Sequence, residues 1–331
     1  MRSLVAISLC LLLDVAAAQT VLRAQAPTSE GIATLAAAAS EIERQTAGRI
    51  RLVVLPPDSI AVGGQVAQAI RAGTLDVGMA TTRTLESFDP RFKVYATPFL
   101  FTNFGTVARL QASPPSQQML KDFGSKTGVV PIGYVHQSFD VLFAKTPVVS
   151  PSDVKGKAFS TLPSADSFSS VLTSVGGTVR PTNPAEIGEA FSRGAVNAVA
   201  APVQFLQSAQ LNKESGVVSR TNHLYRGGVM LANQSRMESL SPADRVVVVV
   251  ALERAARSMS SNAVNEYASV LRQAEQTKRL VNPTVQDFNA WRASAEPVWK
   301  ATRESVGDAY FAAAVTAAGG TGGGGDPSQS C

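Results

Sequence analysis

The stretch AIRAGTLDVGMAT, residues 69–81, decides the fold. Its first residues complete a helix over 66–71, Gly73 stops that helix, and 75–80 reads as a buried strand. A helix that ends on glycine and passes within two residues into a strand is half of a crossover unit. Working back, Ile50, Leu52 and Val54 alternate with Arg49, Arg51 and Val53 as a strand. Ile32, Leu35, Ala39 and Ile42 recur at helical spacing before Gly48, and 20–25 reads as a first strand. Working forward, the pattern returns with strand-like 129–134, 141–145 and 157–161, a helix over 166–174, Val179 in a further strand, a helix over 184–193 and a strand over 196–201. Strands alternating with helices at this pitch predict an α/β protein of two sequential units on mostly parallel sheet.

The ends of the chain carry different signals. Arg2, an apolar run over 4–13 and Ala16-Ala17-Ala18 before Gln19 have the layout of a secretory leader with an A-x-A cleavage site, so residues 1–18 are expected to be removed on export. No later run of about 18 apolar residues follows that could cross a membrane. Cys10 falls inside the leader, and Cys331 is left alone after the glycine-rich 319–326, expected to be a disordered tail over 319–331. A single thiol cannot cross-link the mature fold, which must stand on its apolar core.

The chain has 331 residues, 45% hydrophobic and 17% charged, enough for about two domains. Its net charge of +5 is spread without a Lys/Arg run or interleaved aromatics, which argues against nucleic acid as a partner. Ser241-Pro242, with Asp244 three residues past the serine, starts a helix that nothing breaks until about Leu280. A helix of that length is expected to touch both units.

Taken together, the segments over 20–315 resemble the substrate-binding subunits (DctP-like) of tripartite ATP-independent periplasmic (TRAP) transporters. The resemblance is carried by ERQTAGRIRLVVLP (43–56), AIRAGTLDVGMAT (69–81), TPFLF (97–101), SPSDVKGK (150–157), AFSRGAVNAV (190–199) and TNHLY (221–225), in that family's order. It implies a two-lobed periplasmic solute-binding fold with a long C-terminal helix spanning both lobes. Lobe one would comprise 19–138 and 226–265, lobe two 139–225 and 266–318, each with its own sheet. It also implies periplasmic location, a small-molecule solute and a pair of membrane transporter subunits as partners, with no cofactor or metal.

The sequence departs from that family at the pocket. The arginine by which the family usually grips a carboxylate maps to Ser160, in KGKAFSTLP, and a second arginine maps to Asp140 or Phe139. A bidentate guanidinium–carboxylate pair is charge-assisted and orienting, whereas serine offers one neutral hydrogen bond. The ligand is therefore expected to be neutral and weakly polar, or an acid held by Arg83 or Arg180 instead. The cleft is expected to be lined by Gln25, Thr81, Thr82, His136, Phe139, Asp140, Ser160, Thr161, Asn183 and Gln204, all near strand ends.

Enzyme signatures are missing: there is no G-x-S-x-G, no P-loop and no H-E-x-x-H. Ser138, His136 and Asp140 lie too close in sequence for a usual triad. The expectation is a receptor that transforms nothing, with a receptor-fold sensor of a membrane partner, or a hydrolase, as the alternatives.

Overall fold

Nine strands form one hydrogen-bonded sheet in this computed structural model, which describes residues 19–61, 63–162, 166–211, 214 and 216–320. The expected leader, and most of the glycine-rich tail, lie outside the described residues. The strands are β1 (Thr20–Gln25), β2 (Ile50–Leu55), β3 (Val77–Thr81), β4 (Val129–Ala144), β5 (Ala158–Thr161), β6 (Thr178–Pro181), β7 (Ala198–Pro202), β8 (Val217–Asn233) and β9 (Leu280–Val281). The helices are α1 (Ser29–Gln45), α2 (Val66–Arg71), α3 (Thr82–Leu85), α4 (Phe104–Ala112), α5 (Pro114–Thr127), α6 (Asp166–Ser174), α7 (Ile187–Ser192), α8 (Phe205–Ser208), α9 (Gln234–Glu238), α10 (Pro242–Gln276), α11 (Val285–Val306) and α12 (Asp308–Ala317).

The outer parts of the sheet are the parallel crossover units read from sequence. β1 lies between β2 and β3, and β5 between β6 and β7, all parallel. The centre is different. β4 and β8, the two longest strands, run antiparallel along their whole length. At one end β3 adds to β8, and at the other β7 adds to β4, both antiparallel. The expected pair of separate sheets is thus corrected to one ladder in order β2-β1-β3-β8-β4-β7-β5-β6, because two strands are shared by both halves. Register shifts in β4 between His136 and Ser138 and between Asp140 and Leu142 bend the shared ribbon where one half passes to the other.

Each half has its own packing. Leu22, Ile42, Leu52, Val248 and Leu252 bring β1, β2, α1 and the first part of α10 into one apolar cluster. Phe99, Phe159, Phe168, Phe288 and Trp291 form another under β5 and α11. The larger cluster between them contains Phe92, Phe139, Tyr225, Tyr267 and Leu271. α10 contributes Val248 to the first cluster and Tyr267 and Leu271 to the larger one. At 35 residues it is about 52 Å long at 1.5 Å per residue, and it reaches across both halves as the sequence predicts. Ser241 caps it, its hydroxyl accepting from the Asp244 N–H at 3.1 Å. No described helix is long and apolar enough to cross a membrane.

Candidate functional site

The ends of β1 and β3 face the middle of β4 and β8 across a cleft of about 330 Å³. Four of the expected residues line it: Gln25, Thr81, Thr82 and Arg83. Each is fixed locally. The Gln25 side chain is wholly engaged by the loop after β2, donating to the Ala61 carbonyl at 2.6 Å and accepting from the Ile60 and Ala61 N–H groups. It therefore shapes the wall and has little left to offer a ligand. Thr81 caps α3, its hydroxyl accepting from the Thr84 N–H at 3.2 Å. Thr82 donates to the Gly227 carbonyl at 3.3 Å and ties α3 to β8.

Beyond β4 lies a second chamber of about 370 Å³, which His136 and Gln204 line. Pro27, Met79, Gln137 and Arg226 border both spaces, so the two chambers are parts of one cleft. Gln204 donates to the Gln137 carbonyl at 3.1 Å. His136 Nδ1 lies 2.8 Å from the Tyr225 hydroxyl, and burial pushes its imidazole pKa down to about 4, so the ring is neutral near pH 7.

Arg226, which sequence reading missed, is the most informative side chain here. It extends from β8 and meets Asp140 of β4 in a bidentate pair, Nε to Oδ1 at 2.9 Å and the terminal nitrogen to Oδ2 at 2.6 Å. Asp140 is fully buried, while the Arg226 side chain keeps 18% of its surface exposed in the cleft. Burial opposes the charge of Arg226, but the Asp140 carboxylate and its hydrogen bonds outweigh this and raise the guanidinium pKa above its ordinary value. Asp140 is therefore no isolated repulsive charge; it anchors a cation. The register pairs Ser138 with Arg226 and Asp140 with Leu224, which puts the two charged residues on the diagonal of neighbouring strands.

The remaining expected residues do not line the cleft. Phe139 is core, packed edge-on against Phe104, Tyr225 and Tyr267. Ser160 and Thr161 are fully buried on β5; Ser160 Oγ has no hydrogen-bond partner among the described residues, and Thr161 accepts from Ser169 at 3.3 Å. Arg180 sits exposed on the edge strand β6, and Asn183 is exposed and caps the turn after it by accepting from the Ala185 N–H. Both arise because β6 ends the sheet, far in strand order from β3 and β8. His223 is buried, stacked on Phe168 with centroids 3.8 Å apart.

Two sheet-bearing halves joined by a bent ribbon, with a cleft between strand ends and a salt-bridged arginine in its wall, define a two-lobed solute-binding receptor. The family model of bacterial extracellular solute-binding protein family 7 (DctP) matches residues 19–305, and the chain belongs to that family. A protein of Haemophilus influenzae is 24% identical over 213 residues, which is 64% of each chain. The match thus spans a little under two thirds of that relative's length. A TRAP periplasmic solute-binding protein of Shewanella oneidensis, solved with bound succinate, is 21% identical with a TM-score of 0.76, covering 91% of this chain and 100% of the other. A TRAP protein of Ralstonia eutropha H16, solved with bound (S)-2-acetolactate, is 19% identical with a TM-score of 0.77, covering 90% and 98%.

Proposed function

We propose that the protein is the periplasmic receptor of a TRAP-type transporter, which captures a small organic acid between its lobes and delivers it to two membrane subunits. Residues 1–18 would direct export and be removed on it. The observation that carries the ligand class is Arg226, which lies in the wall common to both chambers and is paired behind it with the buried Asp140. Ser160 stands where a carboxylate-gripping arginine is expected, and Arg226 offers a guanidinium in its place from β8, which β4 and β7 separate from β5. Arg83 is the second cation in the wall of the first chamber. Arg180, exposed on the sheet edge, drops out. The succinate and acetolactate held by structurally similar proteins support an acid as ligand.

Closure would bend the β4–β8 ribbon at the register shifts between His136 and Ser138 and between Asp140 and Leu142, moving 19–138 with 226–265 against 139–225 with 266–318. The solute would be held by expulsion of water and a few hydrogen bonds, without chemical change.

The test is titration of a carboxylate panel, succinate included, against the wild type and two arginine variants. Arg83→Gln should weaken binding of short acids about tenfold or more, the scale of one charge-assisted hydrogen bond. Arg226→Met should weaken it at least as much, but it also strands the buried Asp140 carboxylate, at a cost of about 3–5 kcal/mol of stability. Arg226→Met combined with Asp140→Asn removes that complication. Unchanged affinity in both Arg83→Gln and the double variant would refute the arginine-held acid.

A further inference from the structure

Past Arg226 the chamber of about 370 Å³ is walled mainly by apolar groups: Val135 from β4, Pro202 at the end of β7, Phe205 of α8, and Met259 and Ala263 of α10. Its volume lies in the range that encloses a drug-sized group. An ionised carboxylate packed against those five side chains would lose its water without compensation. Apart from Arg226, the charged side chains among its described lining residues are Glu30 and Glu266, both exposed and both acidic. Charge and solvation thus agree: an anionic group stays on the Arg226 side, and what lies beyond it is uncharged.

Neutral polar side chains interrupt the apolar wall at Thr28, Gln137, Ser138, Gln204 and His136, and of these the His136 ring is the one faced by an aromatic cluster. His136 has its Nδ1 engaged by the Tyr225 hydroxyl, and its Nε2 has no partner among the described residues. A neutral imidazole carries a single N–H; with the Tyr225 O–H donating to Nδ1, that N–H is on Nε2 and can donate to an acceptor. Phe104 packs against the same ring, with centroids 5.3 Å apart.

We propose that this second chamber holds the uncharged, largely apolar tail of an amphiphilic monocarboxylate whose carboxylate rests at Arg226, with an acceptor on the tail meeting His136. The proposal rests on the reading of the protein as an acid receptor and narrows its ligand class from short diacids to aryl- or alkyl-bearing acids.

Calorimetric titration of the whole chain with succinate, 4-phenylbutanoate and 4-oxo-4-phenylbutanoate tests it. Both aryl acids should bind at least about tenfold more tightly than succinate, the discrimination a few buried carbon groups provide. Filling the chamber by Ala263→Phe, or by Met259→Trp should the first variant disturb α10, should collapse that advantage. His136→Phe should weaken 4-oxo-4-phenylbutanoate and spare 4-phenylbutanoate, which has no acceptor on its tail. If succinate binds and the aryl acids bind no better, or if their advantage survives both filling variants, the second-chamber assignment is overturned while the receptor reading stands. If none of the three acids binds, the acid reading falls and this assignment with it.

Discussion

Asp140 and Arg226 show what a sequence can and cannot reveal about a site. Asp140 is expected in the cleft because it follows a strand-like run near the presumed lobe boundary, but it is fully buried and reaches the cleft only through its partner. Its partner lies 86 residues away, and no periodicity links the two. Their contact exists only once β4 and β8 pair, so the cation is invisible until the register is known. Phe139 shows a related error: Ser138 before it lines the second chamber, but alternation along the strand turns Phe139 into the aromatic core. His136 carries a pH consequence. Its folded pKa, about 4, lies below the ordinary value of 6.5, because burial disfavours the charged ring. The unfolded chain therefore binds the proton first as pH falls, and folding stability is fully present above about 6.5 and declines towards 4. His223, buried and lowered in the same direction, adds to the same decline. Urea melts at pH 7 and pH 5 should differ by about 1 kcal/mol or more from these two rings. In His136→Phe the difference should shrink; an unchanged difference would mean that this ring does not titrate on unfolding.

At the scale of elements, the crossover units were legible and the shared ribbon was not. Helix spacing, glycine stops and short apolar strands gave β1, α1, β2, α2, β3, α6 and the long α10 close to their observed limits. β4 was legible only as two fragments, because His136, Gln137, Ser138 and Asp140 in its middle resemble a loop. β8 was not legible, since SRTNHLYRGG has neither period 2 nor an apolar run. Those polar and glycine residues stand where the ribbon changes partners and borders the cleft, so tertiary pairing overrides local preference. The two glycines illustrate the requirement. A Cβ on Gly228 would come within 2.5 Å of the Ala80 carbonyl oxygen, a backbone atom of β3 that cannot swing aside. A Cβ on Gly133 of β4 would meet only Ala256 Cβ, at 3.7 Å. Gly228→Ala should lower stability by about 1–3 kcal/mol, and Gly133→Ala should be neutral or slightly stabilising. Chemical denaturation of the pair checks this; equal effects would contradict the close approach of β3 to β8.

For the whole molecule, two lobes that share strands cannot come apart as two separate domains can. Unfolding either half exposes one edge of β4 or β8 and strips packing from α10, which contributes to the clusters of both. Scanning calorimetry should therefore show a single transition whose calorimetric and van't Hoff enthalpies agree. Two resolved transitions would mean that the ribbon does not couple the lobes.

The same pairing also governs when the polypeptide can acquire its shape. β3 is neighboured on one side by β8, with Gly78 opposite Leu231, so the first half of the sheet cannot close while only the first half of the chain has been synthesised. Contacts so distant in sequence form slowly, because the long intervening loop must be closed before they repay its entropy. A nascent chain lacking β8 has an unfinished sheet and no reason to lock, and stays threadable through a narrow channel until the residues up to Asn233 have emerged.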